Sequence, residues 1–199
     1  MTATASIPPL APPERLLTVD EFLRMVEVGI LTEDDDVELL EGRIVTKMSR
    51  NPPHDAALLL MLQVLTRHLG VGWHVRPQAA IRTSDSAPEP DLAVVRGQVR
   101  DYAHEHPAAD DVALVIEIAD TSLMHDRSRK GAIYARAGIG RYWIINLRDG
   151  RIEVDSDPSG PGDSPRYRTR QDVGADGTVE LKLPGGPSVR VDARQIMPG

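Results

Sequence analysis

The sequence predicts a mixed α/β (α+β) fold, a β-sheet core flanked by few helices. Three observations lead there. Strand-length apolar runs rich in β-branched residues recur, above all "VALVIEI" and "RYWII". They alternate with stretches whose apolar residues fall at helical spacing. The 199 residues, 41% hydrophobic and 27% charged, also suit one well-cored domain better than two small ones.

Taken in order, residues 1–14, rich in Pro and Ala, read as a flexible arm and 15–199 as the single domain. "TVDE" is a capping box, Thr18 at the cap and Glu21 reaching back, that opens a helix through about Val28. "VELLEGRIVTKM" holds two short β-prone runs around Glu41-Gly42, which makes a hairpin. After the breaker "NPP", the segment "HDAALLLMLQVLTRHLG" is a helix with Gly70 as its C-cap. "WHVRPQAAIRT" and "PDLAVV" are extended, and the polar "RGQVRDYAHEHPAADD" is surface loop. "VALVIEI" does not alternate, as expected of a strand covered on both faces. "SLMHDRSRKGAIYARAG" is a helix from near Ser122 to Gly138, and "RYWIINLRDGRIEV" is a hairpin turning at Asp149-Gly150. "RYRTR", "TVELKL" and "SVRV" form a C-terminal β extension.

Composition narrows the function. The chain has no cysteine, which excludes disulfides and thiolate metal sites and suits a reducing cytosol. The start has no basic leader before an apolar stretch, and no run approaches the ~18 apolar residues of a membrane helix, so a cytoplasmic protein is expected. A net charge of -7 weighs against a general nucleic-acid coat protein. Arginines such as Arg76, Arg82, Arg127, Arg136 and Arg141 leave room for a local basic cleft.

Two acids stand where apolar residues belong. Asp91 opens the run in "PEPDLAVV", and Glu117 interrupts "VALVIEIAD". An ionised carboxylate in an apolar interior is costly unless something pairs with it. If the two strands pair, both side chains converge at one point, where a hard divalent cation such as Mg²⁺ would offset their repulsion. Each acid also has a plainer reading, an edge or turn acid for Asp91 and an arginine partner for Glu117. Lys130, on the next helix, could turn back to the same point. With Asp126 four residues earlier it could equally form an exposed ion pair. The six histidines are dispersed, and the close pair in "HEH" reads as solvated loop rather than zinc site. His54 reads as a helix cap that could touch substrate, Gln78 could face the cleft, and Tyr134, Tyr142 and Trp143 read as core.

The ordered set of Glu38 in "VELLEGRIV", Asp91 in "PEPDLAVV", Glu117 in "VIEIADTS" and D-x-x-x-K at Asp126–Lys130, followed by "YARAGIGRYWII", resembles the Uma-two family of the PD-(D/E)XK nuclease superfamily. The likeness runs from about Thr18 to Val154. It implies a restriction-endonuclease-like mixed sheet and a Mg²⁺-dependent (or Mn²⁺-dependent) endodeoxyribonuclease with no organic cofactor. On that pattern Asp91 and Glu117 are metal ligands, with the backbone carbonyl of Ile118 as a further donor. The superfamily lysine normally lies two residues after the second acid, where this chain has Ala119. The resemblance implies that Lys130 supplies the ammonium from the helix and orients the attacking water. Glu38, in E-L-x-x-G, is implied to help hold the cation or a second ion, which completes a catalytic set of Asp91, Glu117, Lys130 and Glu38. DNA is the implied partner and a homodimer the implied assembly. The rival expectation, motivated by the acidic balance and the displaced lysine, is a nuclease-fold module that binds nucleic acid or a protein and cuts weakly or not at all.

Overall fold

Residues 14–186 and 188–198 are described by the computed structural model. The arm expected over 1–14 lies, apart from Glu14, outside them. Thr18 caps α1 (Val19–Glu27): its hydroxyl accepts the Glu21 amide at 3.1 Å, and Glu21 accepts the Thr18 amide at 2.9 Å, the expected capping box. β1 (Val37–Leu40) and β2 (Arg43–Thr46) pair antiparallel through Glu41-Gly42, both at positive φ, 53° and 71°. Gly42 is required there, because a Cβ would lie 2.7 Å from that of Leu16.

α2 (Pro52–His68) starts inside "NPP" rather than after it. Asn51 accepts the His54 amide at 3.1 Å, and the prolines fill first-turn positions that need no amide partner. Asn51, not His54, is therefore the cap. The helix leaves through an extended Leu69 (ψ 131°), so Gly70 is not a left-handed cap.

The central sheet is formed by β3 (Trp73–Pro77), β4 (Leu92–Arg96), β5 (Val112–Ala119), β6 (Arg141–Asn146), β7 (Arg151–Pro158) and β8 (Tyr167–Gly174), in that spatial order. Every pairing is antiparallel except β5–β6, whose parallel alignment demands a crossover. That crossover is one helical path: α3 (Leu123–His125), a π turn (Asp126–Lys130) and α4 (Gly131–Arg136), followed by Gly138 at φ 78°. The sequence predicted a regular helix here, and the wider turn is the departure from it. The β6–β7 hairpin closes over residues 147–150, with Gly150 at φ 62°, a longer connection than a tight Asp149-Gly150 turn. β9 (Thr178–Lys182) and β10 (Ser188–Asp192) form a separate hairpin.

β4 and β5 are covered on both faces, which is why their sequences do not alternate. On one face Leu92, Val94, Leu114 and Ile116 pack with α2 and the β9–β10 hairpin. On the other, Ala93, Val95, Val115 and Ala119 pack beneath Tyr134 and Tyr142. Trp143, Tyr134 and Tyr142 are fully buried, as expected. The period of two puts Asp91 in phase with Ala93 and Glu117 in phase with Val115, so both acids face the crossover helix. Among the described residues no helix is long and apolar enough to cross a membrane.

Candidate active site

The register of β4 and β5 pairs Leu92 with Ile116, so Asp91 falls opposite Glu117 at the end of the ladder. Asp91 Oδ2 accepts the Ile118 amide at 2.8 Å and lies 3.1 Å from His54 Nε2. His54 reaches it from the first turn of α2, whose start is set by Asn51 and the prolines. Glu117 Oε1 accepts from Lys130 Nζ at 3.1 Å and from the Tyr134 hydroxyl at 2.8 Å. Lys130 Nζ is also 3.4 Å from Glu38 Oε1, while Glu38 Oε2 accepts the Glu89 amide at 2.9 Å. Glu38, Glu117 and Lys130 thus meet directly, and Asp91 stands on the facing strand with partners of its own. Ala119, where the strand lysine would be, is sealed in the apolar core.

The exposed Asp126–Lys130 pair does not exist. Asp126 is 3% and Lys130 7% exposed, because the face carrying residues 126, 130 and 134 packs on the sheet. Asp126 Oδ2 is buried without a hydrogen-bond partner.

Charge is unevenly matched. Burial raises the Glu117 pKa well above its ordinary value, Asp126, Asp91 and Glu38 push the same way, and Lys130 opposes them. Burial likewise pushes Asp126 up to about 6 despite Lys130 and Ser122. Burial opposes the ammonium of Lys130, but Glu117, Glu38 and Asp126 outweigh it and keep it protonated. The same contest at His54, burial against Asp91 and Asp55, ends with its pKa raised.

These residues line a cleft of about 1200 Å³, with Gln78 at its wall as expected. Asp91 Oδ1 and Glu117 Oε2 accept no hydrogen bond from the described residues, and neither is sealed from the cleft. Carboxylate oxygens of this kind fit a hard divalent cation. The Ile118 amide points at Asp91, and in an extended strand the carbonyl of the same residue projects to the same edge. Among the described residues no group of three or more His, Asp or Glu side chains forms a ready metal cluster. The fit is that of two carboxylates and a strand carbonyl.

Sequence reasoning missed the hold of His54 on Asp91 and of Tyr134 on Glu117. A signal for the second was present, since Asp126, Lys130 and Tyr134 repeat at four-residue spacing on one helical face.

A mixed sheet with acids on neighbouring strands and an ammonium beside them is a restriction-endonuclease-like architecture. The chain belongs to the Uma2 family, described as "Putative restriction endonuclease", whose model matches residues 19–191 and so reaches into β10. Its fold is similar to that of a protein described as "a putative nuclease belonging to DUF820 from Anabaena variabilis ATCC 29413", with a TM-score of 0.64 and 16% identity over 91% of this chain and 97% of that one. None of the curated proteins matches.

Proposed function

We propose that the protein is a divalent-cation-dependent endonuclease that hydrolyses DNA phosphodiester bonds in the cleft of Asp91, Glu117 and Lys130. One observation carries this reading: the ammonium absent from the strand at Ala119 arrives from the crossover helix, 3.1 Å from Glu117. Family membership and the likeness in fold support the reaction class.

Asp91, Glu117 and the Ile118 carbonyl would hold Mg²⁺ or Mn²⁺, which when bound supplies Lewis-acid stabilisation of the phosphate and lowers the pKa of water. The chain's own groups do the rest. Lys130, kept protonated by three acids, sets a fixed positive charge where negative charge grows on the phosphate and can orient the attacking water. Glu38 positions Lys130 and is itself anchored by the Glu89 amide. His54 and the Ile118 amide fix one oxygen of Asp91, and Tyr134 and Lys130 fix one oxygen of Glu117. The other oxygens remain turned to the cleft. A homodimer, offering one site to each DNA strand, and a cytoplasmic setting belong to the same reading.

The test is Mn²⁺-dependent cleavage of plasmid and single-stranded DNA by the pure protein, with Asp91→Ala and Lys130→Ala. Cleavage that survives both substitutions refutes the site. A second reading, a nucleic-acid-binding module that does not cut, is favoured by the ion pairs through which Lys130 already neutralises Glu117 and Glu38. Calorimetry separates the two, because the module would show no Mn²⁺ binding that depends on Asp91 and Glu117.

A further inference from the structure

A cation with no counterion among the described residues lies one row along the sheet from the acids. In the β3–β4 register Arg76 is opposite Ala93, and the Gln78 amide bonds the Asp91 carbonyl at 3.0 Å. Ala93 shares a face with Asp91, so Arg76 is on that face too, a diagonal neighbour at roughly 7–8 Å between Cα atoms. Yet Arg76 makes no ion pair with a carboxylate among the described residues. Its guanidinium lies 5.6 Å from the Tyr102 ring centroid, Nη2 is 3.5 Å from His106 Nδ1, and Nε is buried without a hydrogen-bond partner.

Arg82 is paired with Asp20, Arg127 with Glu153, and Arg129 and Arg136 with Glu41, whereas Arg50, Arg96, Arg100 and Arg141, like Arg76, have no carboxylate partner among the described residues. Of these, Arg76 is the one held on the sheet face of Asp91. His106 lines the same cleft as Asp91, Glu117 and Gln78. Burial, then the charges of Arg76 and Arg82, hold its pKa below the usual histidine value. In a chain of net charge -7, an arginine held beside His106 and the acids with no carboxylate of its own among the described residues is available to an anion.

We propose that Arg76, His106 and Gln78 form an anion subsite for the nucleic-acid backbone phosphate next to the one positioned for cleavage. The identity of the ligand rests on the nuclease reading above. The guanidinium fork matches two phosphate oxygens, Tyr102 beneath it restrains the side chain beforehand, and Gln78 and His106 add neutral hydrogen-bonding groups at the cleft wall.

Binding of a fluorescent oligonucleotide to the full chain in EDTA, where no cutting occurs, tests the proposal. Arg76→Ala should weaken binding about tenfold and flatten the slope of log K against log salt by about 0.7–0.9, one phosphate contact. Arg67→Ala, the same charge change at an exposed position on α2, should alter neither. Arg76→Lys should keep the slope and recover part of the affinity, which a merely misfolded Arg76→Ala would not predict. In cleavage assays the loss should appear in KM with little change in kcat. Unchanged affinity and slope in Arg76→Ala would overturn the subsite, as would Arg76-dependent binding of inorganic pyrophosphate alone. Binding through Arg76 by a chain that never cuts would leave the subsite standing and remove the nuclease reading; cutting with Arg76 dispensable would do the reverse.

Discussion

The same sheet buries acids in two places and treats them in opposite ways. On β7, Arg127 donates to both oxygens of Glu153, its Nε at 2.9 Å, Asn146 adds a bond at 2.8 Å, and Arg170 grips Asp155 at 2.7 and 2.6 Å. Burial would raise the Glu153 carboxyl, but Arg127 and Asn146 outweigh it and hold its pKa below the ordinary value. Where β4 and β5 end, Glu38, Asp91, Glu117 and Asp126 share one ammonium and one imidazole, and Glu117 and Asp126 are pushed upward instead. At the cleft the paired cations are fewer than the acids, whereas on β7 each buried acid has its own arginine. Matched charge marks structure on β7, and the surplus of acids at the cleft is what the proposed reading assigns to a cation.

The largest effect should come from breaking the cleft. Asp91→Ala should lower Mn²⁺-dependent plasmid cleavage by on the order of a thousandfold, whereas Asp155→Ala, also a buried acid, should leave the rate of folded protein intact. Lys130→Met should lower cleavage by on the order of a hundredfold. It should also cost about 3–5 kcal/mol of stability in urea melts, because Glu117 and Glu38 lose their counter-charge.

His54→Ala should act through Asp91 alone, weakening Mn²⁺ binding by about 10- to 100-fold in calorimetry. The smallest effect on activity belongs to β7. Glu153→Gln should leave cleavage unchanged and cost about 1–3 kcal/mol near neutral pH. Because the folded pKa of Glu153 lies below the ordinary 4.5, its pairing stabilises fully above that value and is lost as pH falls through the lowered one. Urea melts taken from neutral pH downward should therefore show the wild type's advantage over Glu153→Gln shrink in acid.

The capping box at Thr18, the Glu41-Gly42 hairpin and the order of elements were legible because each is set by neighbours in the chain. Asp91 and Glu117 were legible as charges in apolar runs, and Glu38 only through the family likeness. Lys130 was not legible from spacing, since four residues from Asp126 describes a surface pair as well as a buried one. Its place was read through the family likeness. The π turn has no compositional signature. His54 on Asp91 and Tyr134 on Glu117 join positions 37 and 17 apart, contacts made by the sheet and its cover that no local period encodes. The uncommitted Arg76 was hidden for the same reason, because only the folded chain shows which arginines find acids.

Carrying the lysine on the crossover rather than on β5 divides the machinery between two mountings. The carboxylates are locked by ladder bonds, whereas Lys130 closes a five-residue turn, wider than the helix on either side. Lys130 thus reaches Glu117 and Glu38 from outside the sheet, while Asp91 and Glu117 are set by the strand register. A lysine at position 119 would share its register with Glu117, so this arrangement lets sequence changes in the crossover reposition the positive charge independently of the strand ladder.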